Sequence, residues 1–311
     1  MKSVREEDKT TKYTIKKTLY KNNILCVYKG YNKYNNNDVI IKYESKSFSG
    51  EKPKTIIENE RKILNKLREV KKVPKIVDVY NDCLYNYLVI NYLGKDLEYI
   101  LKLQNKNANN YVNFSPGFCA FFMTETIPIL SDIHKHSVFH CDIKPSNFIF
   151  NSEENQIYLI DFSVAQTETN SKICLVGTPK FCSYHCHECA VYSPRDDLIS
   201  LGYVLLYFYL GYLPWQKDHI IFNNKNYSLK KVKNKKGDLL SFLKSGVEKI
   251  PEEFHIFFNY SLSLAINDEI DYKMLYLLFV RMLNKLNYTK ETLVSETQIP
   301  LLKKNNLLCA I

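Results

Sequence analysis

The stretch His140-Cys-Asp-Ile-Lys-Pro-Ser-Asn147, with Ile160-Asp-Phe-Ser163 after it, decides how this chain is read. Asp142, Lys144 and Asn147 stand close together. Asp161 follows fourteen residues after Asn147, across Phe148–Ile160, whose β-rich content reads as a hairpin. Upstream, Tyr13–Leu19, Leu25–Tyr31 and Asp38–Tyr43 carry β-branched and aromatic residues between Asn-rich turns, and Tyr34-Asn-Asn-Asn-Asp38 reads as a hairpin turn. Thr55–Arg68 has helical spacing with Ile56, Ile63, Leu64 and Leu67 on one face, and Leu84–Tyr92 returns to a strand that ends at Gly94. Helical patterns then dominate: Leu97–Leu103, Phe118–His136, Asp197–Leu210, Leu239–Leu243 and Met274–Leu286. The organisation is α+β: a small β-rich lobe over 13–93, a larger α-helical lobe over 94–295, a hinge near Asn91–Gly94, and an unassigned tail over 296–311.

The size agrees with two lobes, since 311 residues exceed the roughly 250–300 at which one core tends to split. Hydrophobic residues at 45% and aromatics at 14% argue against disorder, and 9 Gly and 10 Pro exclude a collagen-like or linker-rich chain. Lys and Arg exceed Asp and Glu by 10. The chain is rich in Asn, Lys, Ile and Tyr throughout, so biased base composition accounts for this excess better than an acidic partner, and no nucleic-acid-recognition motif accompanies it. Met1–Lys12 is charged and lacks the apolar run of a signal peptide, and Leu198–Leu213 stops short of a ~20-residue membrane span. Nine Cys without a secretory signal then read as reduced thiols, and the expected location is intracellular and soluble, in cytoplasm or nucleus, without membrane contact.

Asp142-x-Lys144-x-x-Asn147 with Asp161-Phe-Ser163 resembles the catalytic loop and metal-binding turn of protein kinases, a signature set that general motif knowledge already describes. The resemblance implies a bilobal protein-kinase fold with ATP and Mg²⁺. Asp142 would accept or orient the proton of an attacking hydroxyl. Lys144 would neutralise the moving phosphoryl group, as in the serine/threonine branch, and Asn147 and Asp161 would supply oxygen to Mg²⁺. Val39-Ile-Ile-Lys42 looks like the strand of the phosphate-contacting lysine. Its carboxylate partner is Glu60, counted back from Val73-Pro74 by resemblance to casein kinase I sequences, with Glu58 as the rival. Val27 and Ile40 would face the adenine, Ile90 would be the gatekeeper, and the backbone of Asn91 to Leu93 would bond the base.

The second half narrows the resemblance. Gly177-Thr-Pro-Lys-Phe-Cys-Ser183, Ser193-Pro-Arg-Asp-Asp197 and Gly211-Tyr-Leu-Pro-Trp-Gln216 are similar to the casein kinase I superfamily, which includes the vaccinia-related kinases and lacks the usual Ala-Pro-Glu. Pro251-Glu-Glu-Phe254 through Phe279 matches the superfamily's last helices, so the resemblance runs from Tyr13 to Tyr288. Asp197 is expected to anchor the catalytic-loop backbone as a buried carboxylate.

The chain also departs from the pattern. The three phosphate-loop glycine positions fall on Tyr20, Asn22 and Leu25, although Gly30 keeps the family's spacing to Lys42. Asn22 and Asn23 tolerate left-handed backbone and are a partial substitute. Ile40 replaces the usual Ala, and Ser163 replaces a glycine and should restrict its turn. Cys141 replaces the Arg that reads activation-loop phosphorylation, which disarms a switch and leaves the chemistry. The expected activity is transfer of the γ-phosphoryl of ATP to Ser or Thr hydroxyls of protein substrates; the alternative is a pseudokinase scaffold, and no feature indicates the oligomeric state.

Other clusters carry less. Cys182-Ser-Tyr-His-Cys-His-Glu-Cys189 offers zinc-type ligands, but they are too closely spaced to wrap a tetrahedron, and an ordinary loop with free thiols is the better reading. Lys230–Lys236 reads as a solvated loop, and His134 and His136 as helix-end residues.

Overall fold

Strand burial alternates as period-two side chains require: Cys26, Tyr28 and Gly30 are buried while Leu25, Val27 and Lys29 are half-buried. The computed structural model describes residues 12–46, 55–105, 113–167, 176–188, 190–216, 225–246 and 248–302. It divides into two compact units. The first comprises the described residues up to Leu93 together with Ile160–Val164, and the second comprises Gly94–Leu159 and the residues from Ala165 on. The Asp161 turn therefore belongs with the strand-rich unit.

The first unit is an antiparallel sheet of β1 (Tyr13–Lys21), β2 (Leu25–Asn32), β3 (Asp38–Ser45), β4 (Ile76–Asn81) and β5 (Tyr85–Asn91), in the order β1-β2-β3-β5-β4. Tyr13, Cys26, Tyr28, Val39, Ile41 and Val89 form a core on one face. Gly30 is needed where β1 meets β2, because a Cβ there would come within 2.4 Å of the Thr14 carbonyl oxygen. On the opposite face the register brings Val27 beside Lys42 and Ile40 beside Ile90. Helix α1 (Ile56–Lys66) starts where Thr55 accepts the Glu58 N–H at 3.1 Å. The buried carboxylate of Glu44 accepts the N–H groups of Ile56 and Ile57, both at 3.0 Å, so an anion on β3 fixes the positive end of the helix.

The second unit contains β6 (Lys95–Asp96), α2 (Leu97–Asn105), α3 (Pro116–Lys135), the pair β7 (Phe148–Asn151) and β8 (Gln156–Leu159), α4 (Pro194–Leu210), α5 (Lys225–Gly237), α6 (Leu239–Lys244), α7 (Glu252–Ser263), α8 (Tyr272–Lys285) and α9 (Lys290–Leu302). Strands β6, β7 and β8 form a small sheet in that order. Helix α3 is capped by Ser115, which accepts the Phe118 N–H at 3.0 Å and donates to Glu296 at 2.7 Å. The tail expected to be unassigned thus begins as part of a docked helix. A second correction concerns Lys230–Lys236: these residues lie in α5, and Lys236 is 1% exposed. Among the described residues no helix is long and apolar enough to cross a membrane.

Candidate active-site residues

In the first unit, Lys42 on β3 reaches both carboxylate oxygens of Glu60 at 2.7 Å and Asp161 Oδ1 at 3.4 Å. Glu60 is 0% exposed and lies on the apolar face of α1 with Ile57 and Leu64, whereas Glu58 turns outward to Lys62 at 2.9 Å. Burial opposes charge on Lys42, but the Glu60 and Asp161 carboxylates outweigh it and raise its pKa. Burial also lifts the Glu60 carboxyl, against the pull of Lys42. One ammonium between two carboxylates leaves a net negative charge, and Asp161 is partly exposed, which is an oxygen donor set suited to a hard cation such as Mg²⁺. Asp161 itself takes the left-handed conformation, φ 67°. The restriction expected from Ser163 does not arise, because the left-handed position in this turn is Asp161; the Ser163 carbonyl accepts Asn59 Nδ2 from α1 at 3.0 Å.

The β1–β2 turn differs from the expectation for Asn22 and Asn23, neither of which is left-handed. Instead the Asn22 side chain folds back, its Oδ1 accepting the N–H groups of Ile24 at 2.8 Å and Leu25 at 2.7 Å. Asn22 N also donates to the Leu25 carbonyl at 3.0 Å. The N–H groups that a glycine-rich turn presents to a ligand are here engaged internally. Val27 and Ile40 are half-buried and Ile90 is buried. The Asn91 side chain accepts the Lys75 N–H at 2.7 Å and the Tyr92 N–H goes to the Asp38 carbonyl at 3.3 Å. Leu93 is the residue of this segment whose N–H has no acceptor among the described residues.

In the second unit, Asp142 is held from three sides. Lys144 Nζ lies 2.5 Å from Oδ2, Thr178 Oγ1 donates to Oδ1 at 2.8 Å, and Asn147 Nδ2 donates to the Asp142 carbonyl at 2.8 Å. That leaves the Asn147 amide oxygen without a donor among the described residues, so it too fits a cation ligand. Gly177, at φ +81°, brings the Thr178 turn close, since a Cβ there would meet the Cys141 carbonyl oxygen at 2.3 Å.

Asp197, 0% exposed, accepts the backbone N–H groups of His140 at 2.7 Å and Cys141 at 3.0 Å, and the Tyr192 hydroxyl at 2.6 Å. His134 Nε2 is 2.9 Å from the same carboxylate, so His134 is more than a helix-end residue. The clamp lets Cys141 hold a left-handed backbone, φ 64°. The Cys141 thiol packs with Phe139, Cys182, Cys186 and Tyr192, and burial pushes its pKa well up. Lys172 and Lys180 are the lysines of the activation segment that could read a phosphate in place of the Arg that Cys141 replaces; Lys172 lies outside the described residues, and Lys180 sits 3.9 Å from the Tyr207 ring centroid with burial pushing its pKa down to about 8. Among the described residues no group of three or more His, Cys, Asp or Glu side chains could hold a metal ion; of the 182–189 cluster, Cys189 lies outside them.

Comparison with known proteins bears on the family and the fold. Residues 13–270 match the protein kinase domain family. The chain is similar to casein kinase I homolog 1 of Schizosaccharomyces pombe, 30% identical over 85% of this chain and 59% of the relative. It is also similar to casein kinase I homolog 3 of the same organism, 28% identical over 90% and 64%, and thus spans about three fifths of the length of these curated relatives. Vaccinia related kinase 3, a solved structure, shares the fold with a TM-score of 0.71 at 18% identity, covering 89% of this chain and 88% of the other. With a kinase-domain match over most of its length and a kinase fold in both units, the chain belongs to the protein kinase domain family.

Proposed function

We propose that the chain is an active serine/threonine protein kinase, with ATP and Mg²⁺ as its nucleotide and metal and protein hydroxyls as acceptors. The observation that carries this reading is the buried Lys42 between Glu60 and Asp161, a charge arrangement that costs desolvation and that a mere scaffold does not need. Asp142 is assigned as the base that orients the hydroxyl proton. Lys144 screens the transferring group, Lys42 holds phosphate oxygens, and Asn147 and Asp161 are the oxygen donors for Mg²⁺, which supplies neutralisation of phosphate charge when bound. Val27, Ile40 and Ile90 are assigned to the base, with the Leu93 N–H, which has no acceptor among the described residues, as its backbone donor. The similarity to casein kinase I homologs favours Ser and Thr as acceptors. Transfer of label from γ-labelled ATP to an acidic protein such as casein, with Mg²⁺, tests the reading. Equal background labelling by wild type and Asp142→Asn would leave the pseudokinase reading in its place.

Two expectations accompany it. Since Asn22 occupies the N–H groups of Ile24 and Leu25, ATP should bind more weakly than the intact Lys42 and metal ligands suggest. The double change Asn22→Gly, Leu25→Gly should tighten ATP by about tenfold, or ~1.4 kcal/mol, and leave adenosine unchanged in calorimetry at fixed Mg²⁺. An equal gain for adenosine would mean that the turn acts on the base. The second expectation concerns Cys141. A buried thiol cannot pair with a phosphorylated activation segment, so phosphatase-treated protein should keep its activity within about twofold. A drop of roughly tenfold or more would assign phosphate reading to a lysine such as Lys180.

A further inference from the structure

Lys236 is a buried ammonium that the phosphoryl-transfer residues do not explain. It projects from α5 into the segment after Gly177, where its Nζ donates to the Pro179 carbonyl at 2.8 Å, to the Cys182 carbonyl, and lies 3.1 Å from His187 Nε2. The rings of Tyr203 and Trp215 flank it, with centroids 5.2 and 5.6 Å away. Among the described residues no carboxylate is within ion-pair distance of it. The atom able to carry a compensating negative charge is Cys182 Sγ, 3.8 Å from Nζ and 3.4 Å from His187 Nε2. Cys186 packs in the same buried cluster as Cys182, with Phe139, Cys141 and Tyr192, and its Sγ lies 3.3 Å from the Ser183 hydroxyl. A buried ammonium is stable only when paired, and a thiol beside one is stabilised as thiolate.

We propose that Cys182 and Cys186 are an oxidation-sensitive dithiol in the segment that holds Asp142, with Cys182 as the peroxide-reactive thiolate and Cys186 as the resolving thiol. The neighbouring Cys186 thiol, with His187 and Lys236 beside it, draws the Cys182 thiol well down against burial, while the Cys186 thiol is raised and stays protonated. The oxidant is a small hydroperoxide, which a sulfur with 6% residue exposure still admits where larger reagents are excluded. Cys182 Sγ attacks the peroxide, an S–O bond forms, the O–O bond breaks and hydroxide leaves, with sulfur oxidised by two electrons and peroxide reduced. Cys186 Sγ then attacks the sulfenic sulfur. The S–S bond forms, the S–O bond breaks, and the departing hydroxide takes the Cys186 proton as water.

The consequence follows the hydrogen bonds. A disulfide removes the charge that Lys236 faces, and Lys236 holds the Pro179 and Cys182 carbonyls. Cys182 N and Phe181 N both donate to the Thr178 carbonyl, and the Thr178 hydroxyl donates to Asp142. Oxidation should therefore loosen the turn that positions the carboxylate; this last step rests on the proposed kinase activity, whereas the thiol chemistry does not.

The test treats the full chain with stoichiometric hydrogen peroxide and maps thiols by peptide mass. Exposed Cys83 serves as the reference thiol in the same molecule. The expected result is a Cys182–Cys186 cross-link, ~2 mass units lighter and reversed by dithiothreitol, formed at least about tenfold faster than Cys83 is oxidised. Cys182→Ser should abolish it, Cys186→Ser should stop at a sulfenic acid that dimedone traps when the oxidised protein is denatured in its presence, and Lys236→Met should slow it. Labelled transfer by the oxidised protein should fall at least fivefold and return with reductant. Oxidation of Cys182 no faster than Cys83, or a cross-link to Cys141 instead, would overturn the proposal. Cross-linking without any change in a measurable transferase activity would remove the regulatory step and leave the dithiol, and cross-linking in a protein with no transferase activity would instead count against the kinase reading.

Discussion

Replacing Asp142 by Asn is expected to lower phosphoryl transfer by roughly 10²–10⁴-fold, the range that a positioned general base contributes. Fold and nucleotide affinity should hardly change. The amide of Asn can still accept the Thr178 hydroxyl at the position where Oδ1 now stands at 2.8 Å. The interactions lost at Oδ2 are the contact with Lys144, whose side chain is 25% exposed against 11% for Asp142, and a long 3.5 Å contact from Asn147 Nδ2, together on the order of 1 kcal/mol. The backbone contact from Asn147 Nδ2 goes to the carbonyl and survives. Rate and stability therefore separate: single-turnover labelling should collapse while the melting temperature moves by a few degrees at most and ATP affinity stays within about twofold. The contrasting variant is Asp161→Asn, which removes a carboxylate from the Lys42 cluster and should weaken Mg²⁺-dependent ATP binding. Loss of ATP affinity in Asp142→Asn, comparable with its loss of rate, would show that the carboxylate acts on the nucleotide and not on the hydroxyl.

Much of this arrangement was legible before the fold, because charged side chains in fixed order carry a dense signal. Asp142, Lys144, Asn147 and Asp161 stood out by resemblance to the kinase catalytic loop and metal-binding turn, and Lys42 by the likeness of its strand to the one that carries the family's lysine. Glu60 needed family counting to prevail over Glu58, yet its spacing from Ile57 and Leu64 places it on the apolar face of α1, a signal available without any relative. The edge strand β4 was missed because its burial alternates only between half-buried and exposed, so its composition resembles a polar loop. Lys236 was misread because a lysine run looks solvated; only packing against Tyr203, Trp215 and the Pro179 carbonyl distinguishes the one buried member from its exposed neighbours Lys230 and Lys235. The β1–β2 turn shows a third kind of limit. Missing glycines were visible, but whether Asn would become left-handed or fold its own side chain over the turn is decided by competition between two hydrogen-bond patterns, and the side-chain pattern prevails.

Asp197→Ala should produce the largest loss of stability of any single change considered, about 3–5 kcal/mol, because it strands several partners in a dry interior. The carboxylate accepts from His140 N, Cys141 N and Tyr192, with His134 Nε2 at 2.9 Å, and is 0% exposed. Alanine supplies none of these acceptors. Asp197→Asn keeps the shape and one acceptor oxygen, so it should cost less, about 1–3 kcal/mol. The charge also sets a pH dependence. Burial would raise the carboxyl, but the His134 hydrogen bond and charge, with Tyr192, hold its native pKa below the ordinary Asp value. A depressed native pKa contributes stability above the unfolded value near ~3.9, and that contribution fades as pH falls through the native pKa. At neutral pH the alanine variant should melt on the order of 10 °C lower, with the difference from wild type shrinking in acid. Transfer measured well below the variant's melting temperature should fall as well, since Cys141 has lost the anchor for its left-handed backbone beside Asp142. A variant that melts like wild type would mean that His134 and Tyr192 find other partners and that the catalytic loop is held by its apolar cluster alone.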